Sequence, residues 1–250
     1  MLVYDDYFDL SILEFDEDDI TENLMNSEKF KMFYGIERGR APEKIHWRLV
    51  FGMYPDQMMS HVDNRNSYKI YIKQFPLHIE DSCLVAHEIM HLVFKHCRDS
   101  VDLWFRNGSP GGKFAKVLAS MFEDPIINSY LESKYGFNIL DEYNKDLAWS
   151  KNEHSARHEE PISEMDNLLY ALDISYQDLK WNRISDKEGW LEFKKNLKEW
   201  YPKAFARSEE ILAIVEQYGS ETIEESRISA QKIIEKYNLG KMVSFDPREL

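Results

Sequence analysis

The most regular apolar pattern in the chain covers residues 79–96, which contain neither Gly nor Pro and are long enough for about five helical turns. Apolar side chains occupy its whole circumference rather than one stripe: Leu84, Val85, Ile89, Met90, Leu92, Val93 and Phe94. A helix that is apolar on all sides is normally buried in the protein. The pattern therefore predicts a buried helix.

Two runs before this helix, residues 45–53 and 68–75, are rich in aromatic and β-branched residues and are separated by a polar segment that contains Pro55 and Asp63. In the second run Tyr68, Ile70 and Ile72 share one face, as the two-residue period of a strand requires. Both runs are predicted to be strands.

The rest of the chain is predicted to be mainly helical. A turn-rich loop at 106–112 precedes a helical pattern at 113–135, where Pro125 predicts a kink or two abutting helices. Amphipathic stretches follow at 163–179, 188–200, 203–218 and 221–237. We therefore expect an α+β fold, with a small sheet packed on the buried helix in a domain of residues 1–160, and a helical extension at 161–250.

Charge excludes one class of partner. The 250 residues carry a net charge of −14, and the first 28 contain ten acidic side chains and no Lys or Arg. Nucleic acid binding needs clustered basic residues, so we expect no nucleic acid partner. The acidic segment is interpreted as a solvated edge of the fold, with a docking or inhibitory arm as the alternative.

The chain shows neither a targeting nor a membrane signal. Its first residues lack a basic segment followed by an apolar one, and nowhere do eighteen apolar residues run together. Its two cysteines, Cys83 and Cys97, form no disulfide framework. The expected location is the cytoplasm, without a membrane partner.

Candidate chemistry lies within the predicted buried helix, in the stretch LVAHEIMHLVF at 84–94. His87 and His91 are four residues apart, so both imidazoles lie on one helix face and can turn a nitrogen toward one metal ion. Zinc accepts such ligands and keeps one position for water in catalytic sites. Glu88, beside His87, can take a proton from that water.

This stretch resembles the active-site helix of the zincin metallopeptidases. The resemblance implies that His87 and His91 are zinc ligands and that Glu88 is the general base. It also implies that a strand before the helix forms the edge along which substrate lies, and the run 68–75 is placed to resemble it. The metzincin extension, which has Gly and a third His, is absent, and His96 is interpreted as a surface residue.

The third ligand has to come from elsewhere, and the candidates are Asp99, Asp102, Glu123, Asp124 and Glu132. In the gluzincin branch of the zincins it is a glutamate on a following helix, which Glu123 matches best because its flank of Ala119, Ser120 and Ile126 allows close approach to the buried helix. Asp124 is the alternative, either as a ligand or as a partner that fixes the tautomer of a histidine. Residues 68–140 also resemble small intracellular domains of the ImmA/IrrE type.

Several other residues have two interpretations. Cys83, one turn before His87, is interpreted as packing, although as a fourth ligand it would make the site structural. His154 and His158 are interpreted as a solvated face, with a second metal site or a transition-state donor as the alternative. Three tyrosines are candidate hydrogen-bond donors to an oxyanion: Tyr130, Tyr135 and Tyr143.

The sequence therefore predicts a zinc-dependent peptidase, a hydrolase that acts on a peptide or protein and that could also need a protein partner. The first alternative is a zincin-like regulatory or binding protein with a structural or vestigial metal site. The second is an acidic helical interaction protein that binds no metal.

Overall fold

A computed structural model describes residues 1–5, 7–50, 58–62, 67–105, 111–156, 161, 163–184 and 187–245. The strands are β1 Leu2–Asp5, β2 Leu10–Phe15, β3 Ile45–Leu49, β4 Met59–Val62, β5 Tyr68–Ile72, β6 Trp104–Phe105 and β7 Val243–Ser244. The helices are α1 Glu17–Thr21, α2 Glu28–Glu37, α3 Ser82–Cys97, α4 Gly111–Tyr135, α5 Ile139–Ala156, α6 Glu164–Asn182, α7 Glu188–Trp200, α8 Pro202–Tyr218 and α9 Ile223–Lys236. The fold is mixed α+β, with a small sheet and a helical C-terminal part.

The chain divides into two compact units, and the predicted boundary at residue 160 stays a prediction. The first unit contains residues 1–99 and 127–142, and the second contains 100–126 and 143–250. Helix α4 crosses the division between Ile126 and Ile127, so one continuous helix contributes to both units.

The first unit contains a five-stranded sheet in the order β1-β2-β3-β5-β4. Strands β3 and β5, the two that the sequence predicts, are parallel, with Trp47 opposite Ile70, and both of these side chains are completely buried. The expectation that 68–75 forms the edge is wrong, because β4 pairs antiparallel with β5 on its outer side. The edge strand on this side of the sheet is β4, which follows a segment outside the described residues.

The acidic N-terminal segment supplies strands β1 and β2, which the sequence pattern did not predict. Asp5 is completely buried and accepts hydrogen bonds from Arg48 and from the Tyr71 hydroxyl, with the Lys69 ammonium 3.9 Å away. Burial alone raises the pKa of the Asp5 carboxyl, but the hydrogen bond from Arg48 and these other partners hold it below its ordinary value. The first part of the acidic segment thus belongs to the sheet, and the charge of Asp5 is compensated there.

Helix α3 confirms the predicted buried helix. It contacts β4 and β5, and most of its side chains are buried, including Val85, Ile89 and Leu92. It ends where Arg98 adopts a left-handed conformation with φ of 62°. The N–H of Asp99 then bonds back to the carbonyl of Phe94, as at many helix C-termini.

The predicted C-terminal helices are confirmed as α6 to α9. Two begin at residues that suit a helix start: Ser163 accepts from the N–H of Asp166 before α6, and Thr222 and Glu225 form a capping box at α9. Helix α4 continues through Pro125 as a single helix, so two abutting helices are not formed. None of the helices in the described ranges combines the length and the apolar character that crossing a bilayer requires.

A buried carboxylate joins helices α2 and α4 within the first unit. One oxygen of Glu37 accepts hydrogen bonds from Tyr130 at 2.6 Å, from the Lys134 ammonium at 2.8 Å and from the Tyr135 hydroxyl, and Arg40 binds the other oxygen at 2.7 Å. Burial alone raises the pKa of Glu37, but these hydrogen bonds outweigh it and lower the pKa from 4.5 to about 2. Ionised Glu37 therefore stabilises the fold.

Replacing Glu37 with Gln should lower the free energy of unfolding by an amount on the order of 3 kcal/mol at neutral pH. A carboxyl with a lowered pKa stabilises the folded state above its unfolded pKa and loses that effect as the pH falls. The difference between the two proteins should therefore shrink between pH 4.5 and about 2. Urea unfolding across this range measures it, with the exposed Glu132→Gln as control. A difference in free energy of unfolding that stays constant over this pH range would show that the ionised Glu37 carboxylate does not stabilise the fold.

Candidate metal centre

His87 and His91 face each other on helix α3. Their Nε2 atoms are 3.1 Å apart, and both side chains are half-buried. Two nitrogens that bind one tetrahedral zinc ion at about 2.0–2.1 Å lie roughly 3.3 Å from each other. The spacing of the two Nε2 atoms is therefore close to that of a zinc-binding pair.

Asn128 fixes the orientation of His87. Its side-chain oxygen lies 2.8 Å from Nδ1 of His87, on a residue of the same compact unit. An amide oxygen only accepts hydrogen bonds, so Nδ1 carries the hydrogen and the lone pair of the neutral ring is at Nε2. The tautomer that binds metal through Nε2 is thus the one that Asn128 favours.

Helix α4 carries Asp124 one turn before Asn128. Positions four residues apart lie on the same helix face, so the helix that supports His87 through Asn128 presents Asp124 on that same side. A carboxylate oxygen of Asp124 and the ring nitrogens of His87 and His91 lie within 4.8 Å of one another. This group could hold a metal ion.

Tyr176 holds the carboxylate of Asp124 within the second unit. The Tyr176 hydroxyl, on helix α6, donates to Oδ2 of Asp124 at 2.5 Å, and Asp124 is buried. Burial and then the negative charge of Asp124 raise the pKa of Tyr176 well above its ordinary value. Tyr176 therefore stays protonated and donates at neutral pH.

Glu123 is the residue that the sequence favoured as third ligand. In the structure its carboxylate is hydrogen-bonded to the backbone. Its carboxylate is buried and accepts a hydrogen bond from the backbone N–H of Val101. The group of potential ligands among the described residues contains its neighbour Asp124 and not Glu123. The other candidates Asp99, Asp102 and Glu132 are exposed.

Glu88 is buried beside the histidines, and its carboxylate is held by the edge of the sheet. The backbone N–H of Ser60 on β4 donates to Oε2 of Glu88 at 2.7 Å. This hydrogen bond from a backbone amide restricts the orientation of the Glu88 carboxylate. The role of Glu88 as general base stays a prediction.

The other candidates that the structure describes have these surroundings. Tyr130 and Tyr135 donate to Glu37, and the ring of Tyr143 packs against Trp181. Cys83 is buried in the helix, and His96 is exposed, as expected. The side chain of His154 and all of His158 lie outside the described residues.

Sequence reasoning missed Asn128 and Tyr176. Asn128 had a usable signal, since it follows Asp124 by one turn and an amide oxygen is a common partner for a ligating histidine. Tyr176 had none, because it lies 52 positions from Asp124.

Two imidazoles and one carboxylate suit zinc. Zinc binds histidine nitrogen and aspartate oxygen at about 2.0–2.2 Å, and three protein ligands leave a fourth position for water in catalytic sites. The hydrogen bonds from Tyr176 to Asp124 and between His87 and Asn128 are partners of the kind that orient metal ligands. The donor set therefore fits the metal that the sequence predicts.

Protein-family models, curated proteins and solved structures compared with the chain give no match. The likeness to zincins accordingly depends on the residues themselves.

Proposed function

We propose that the protein is a zinc-dependent peptidase in which His87, His91 and Asp124 hold the metal and Glu88 is the general base. The observation that supports this most directly is the cluster of two histidines and one carboxylate whose ligand atoms lie within 4.8 Å. A zinc ion in such a site supplies a Lewis acid that polarises a carbonyl and lowers the pKa of water.

The protein's own residues supply the other functions of the proposed reaction. Glu88 accepts a proton from the attacking water and later returns it to the leaving amine. The amide of Ser60 keeps the carboxylate of Glu88 in place. The burial of Glu88 limits competing hydrogen bonds from bulk water, which strengthens the interactions that Glu88 makes during the reaction.

The proposed substrate is an extended peptide or protein segment. Strand β4 lies at an edge of the sheet, and Glu88 is bonded to it directly. Sheet edges bind extended peptides through main-chain hydrogen bonds. A peptide along β4 would therefore lie next to the proposed base.

Metal content tests the proposed function first. Protein purified without added metal should contain about one zinc ion per chain, measured by elemental analysis, and should hydrolyse members of a peptide library. Removing zinc with a chelator should abolish hydrolysis, and adding zinc back should restore it. A preparation with neither zinc nor another divalent ion would show that the cluster is not a metal site.

A further inference from the structure

Helix α6 of the C-terminal part carries a residue that contacts the proposed metal ligand Asp124. Tyr176 lies between two charged groups of the second unit: its hydroxyl bonds to Asp124, and its ring lies 4.9 Å from the Lys180 ammonium. The Tyr176 side chain thus contacts both Asp124 on helix α4 and Lys180 on helix α6.

Lys180 fixes the ring of Tyr176. Its ammonium is almost completely buried, lies 4.6 Å from the ring centroid of Tyr143 and pairs with Asp146 at 2.7 Å. A cation close to two aromatic faces favours a defined arrangement of both rings. The Lys180 ammonium, paired with Asp146, therefore helps to hold the Tyr176 ring in the position from which its hydroxyl donates to Asp124.

We propose that Tyr176 is a positioning residue of the metal centre, which orients the Asp124 carboxylate toward the ion. The proposal depends on the proposed metal site and extends it to the C-terminal part. Rotation of a carboxylate about its terminal bond is easy, since the torsion is broad. A buried hydrogen bond to one oxygen restricts that rotation and lowers the entropy that the ligand loses when it binds metal.

The test is Tyr176→Phe, which removes one oxygen and keeps the ring next to Lys180. Zinc affinity, measured by competition with a chelator, should fall by a factor of about 10–100, as is typical for the loss of an outer-shell partner. The visible absorption of the cobalt-substituted protein should also change, because the spectrum reports on ligand geometry.

Tyr135→Phe is the matched control. Tyr135 likewise donates to a buried carboxylate, but that carboxylate is Glu37 and is not a member of the metal-binding group. Tyr135→Phe should lower the thermal unfolding midpoint and leave zinc affinity unchanged. Thermal unfolding of the metal-free proteins verifies that each variant folds.

The double variant Asp124→Ala with Tyr176→Phe tests whether the two residues act together. Its zinc affinity should equal that of Asp124→Ala alone, because Tyr176 acts through Asp124. A further loss in the double variant, or equal affinities of the wild type and Tyr176→Phe, would overturn the inference. A wild-type protein that binds no zinc would instead overturn the proposed metal site, so the two failures are distinguishable.

Discussion

Replacing Glu88 with Gln is expected to reduce peptide turnover by a factor on the order of 10² or more while zinc content and folding stay unchanged. The substitution keeps the size of the side chain and an oxygen that can accept from the Ser60 amide. It removes the carboxylate charge and with it the ability to take a proton. The loss of turnover in Glu88→Gln therefore reports on proton transfer and not on a change in folding or zinc binding.

Metal content, thermal unfolding and turnover have to be measured on the same preparations of both proteins. Glu80→Gln is the control, because Glu80 is an exposed glutamate in the turn before helix α3. Equal turnover in the wild type and Glu88→Gln would show that Glu88 is not the base. Absence of turnover in both, with zinc bound, would favour a regulatory or binding protein with a structural or vestigial site.

The second large effect concerns the choice of third ligand. Asp124→Asn should weaken zinc binding by more than the factor of about 10–100 that accompanies the loss of an outer-shell partner. The change keeps the shape of the side chain and an oxygen for Tyr176, but it removes the negative charge that attracts the cation.

Glu123→Gln is the matched substitution one residue earlier in the same helix. Its amide oxygen can still accept from the Val101 amide, so folding and zinc affinity should remain close to those of the wild type. Zinc affinity is read by competition with a chelator in both variants. Loss of zinc in Glu123→Gln together with retention in Asp124→Asn would restore Glu123 as the ligand.

Helix prediction succeeded where a local pattern determines the structure. Helix α3 was predicted from an apolar run without Gly or Pro, and the four C-terminal helices were predicted from their amphipathic patterns. Strands β1, β2, β4, β6 and β7 were not predicted. Strands β1 and β2 lie in a segment whose acidic composition hides their alternation. The charge of Asp5 in β1 is compensated by Arg48 from a distant strand, which the local sequence does not show.

The sequence alone determined the identity and spacing of the proposed chemical groups. Two histidines four residues apart necessarily share a helix face once the helix forms, and the apolar residues around them require that helix to be buried. His87, Glu88 and His91 could therefore be identified before any tertiary contact was known.

Only the tertiary structure decided which carboxylate approaches these histidines and how the group is oriented. Glu123 and Asp124 are adjacent, about 100° apart around helix α4, so the rotation of that helix determines which one approaches the histidines. The hydrogen bond between Asn128 and His87 shows which face of α4 is turned toward His87. The Asp124 carboxylate accepts a hydrogen bond from Tyr176 on another helix. Such contacts join residues 41 and 52 positions apart, and they depend on packing that no local pattern encodes.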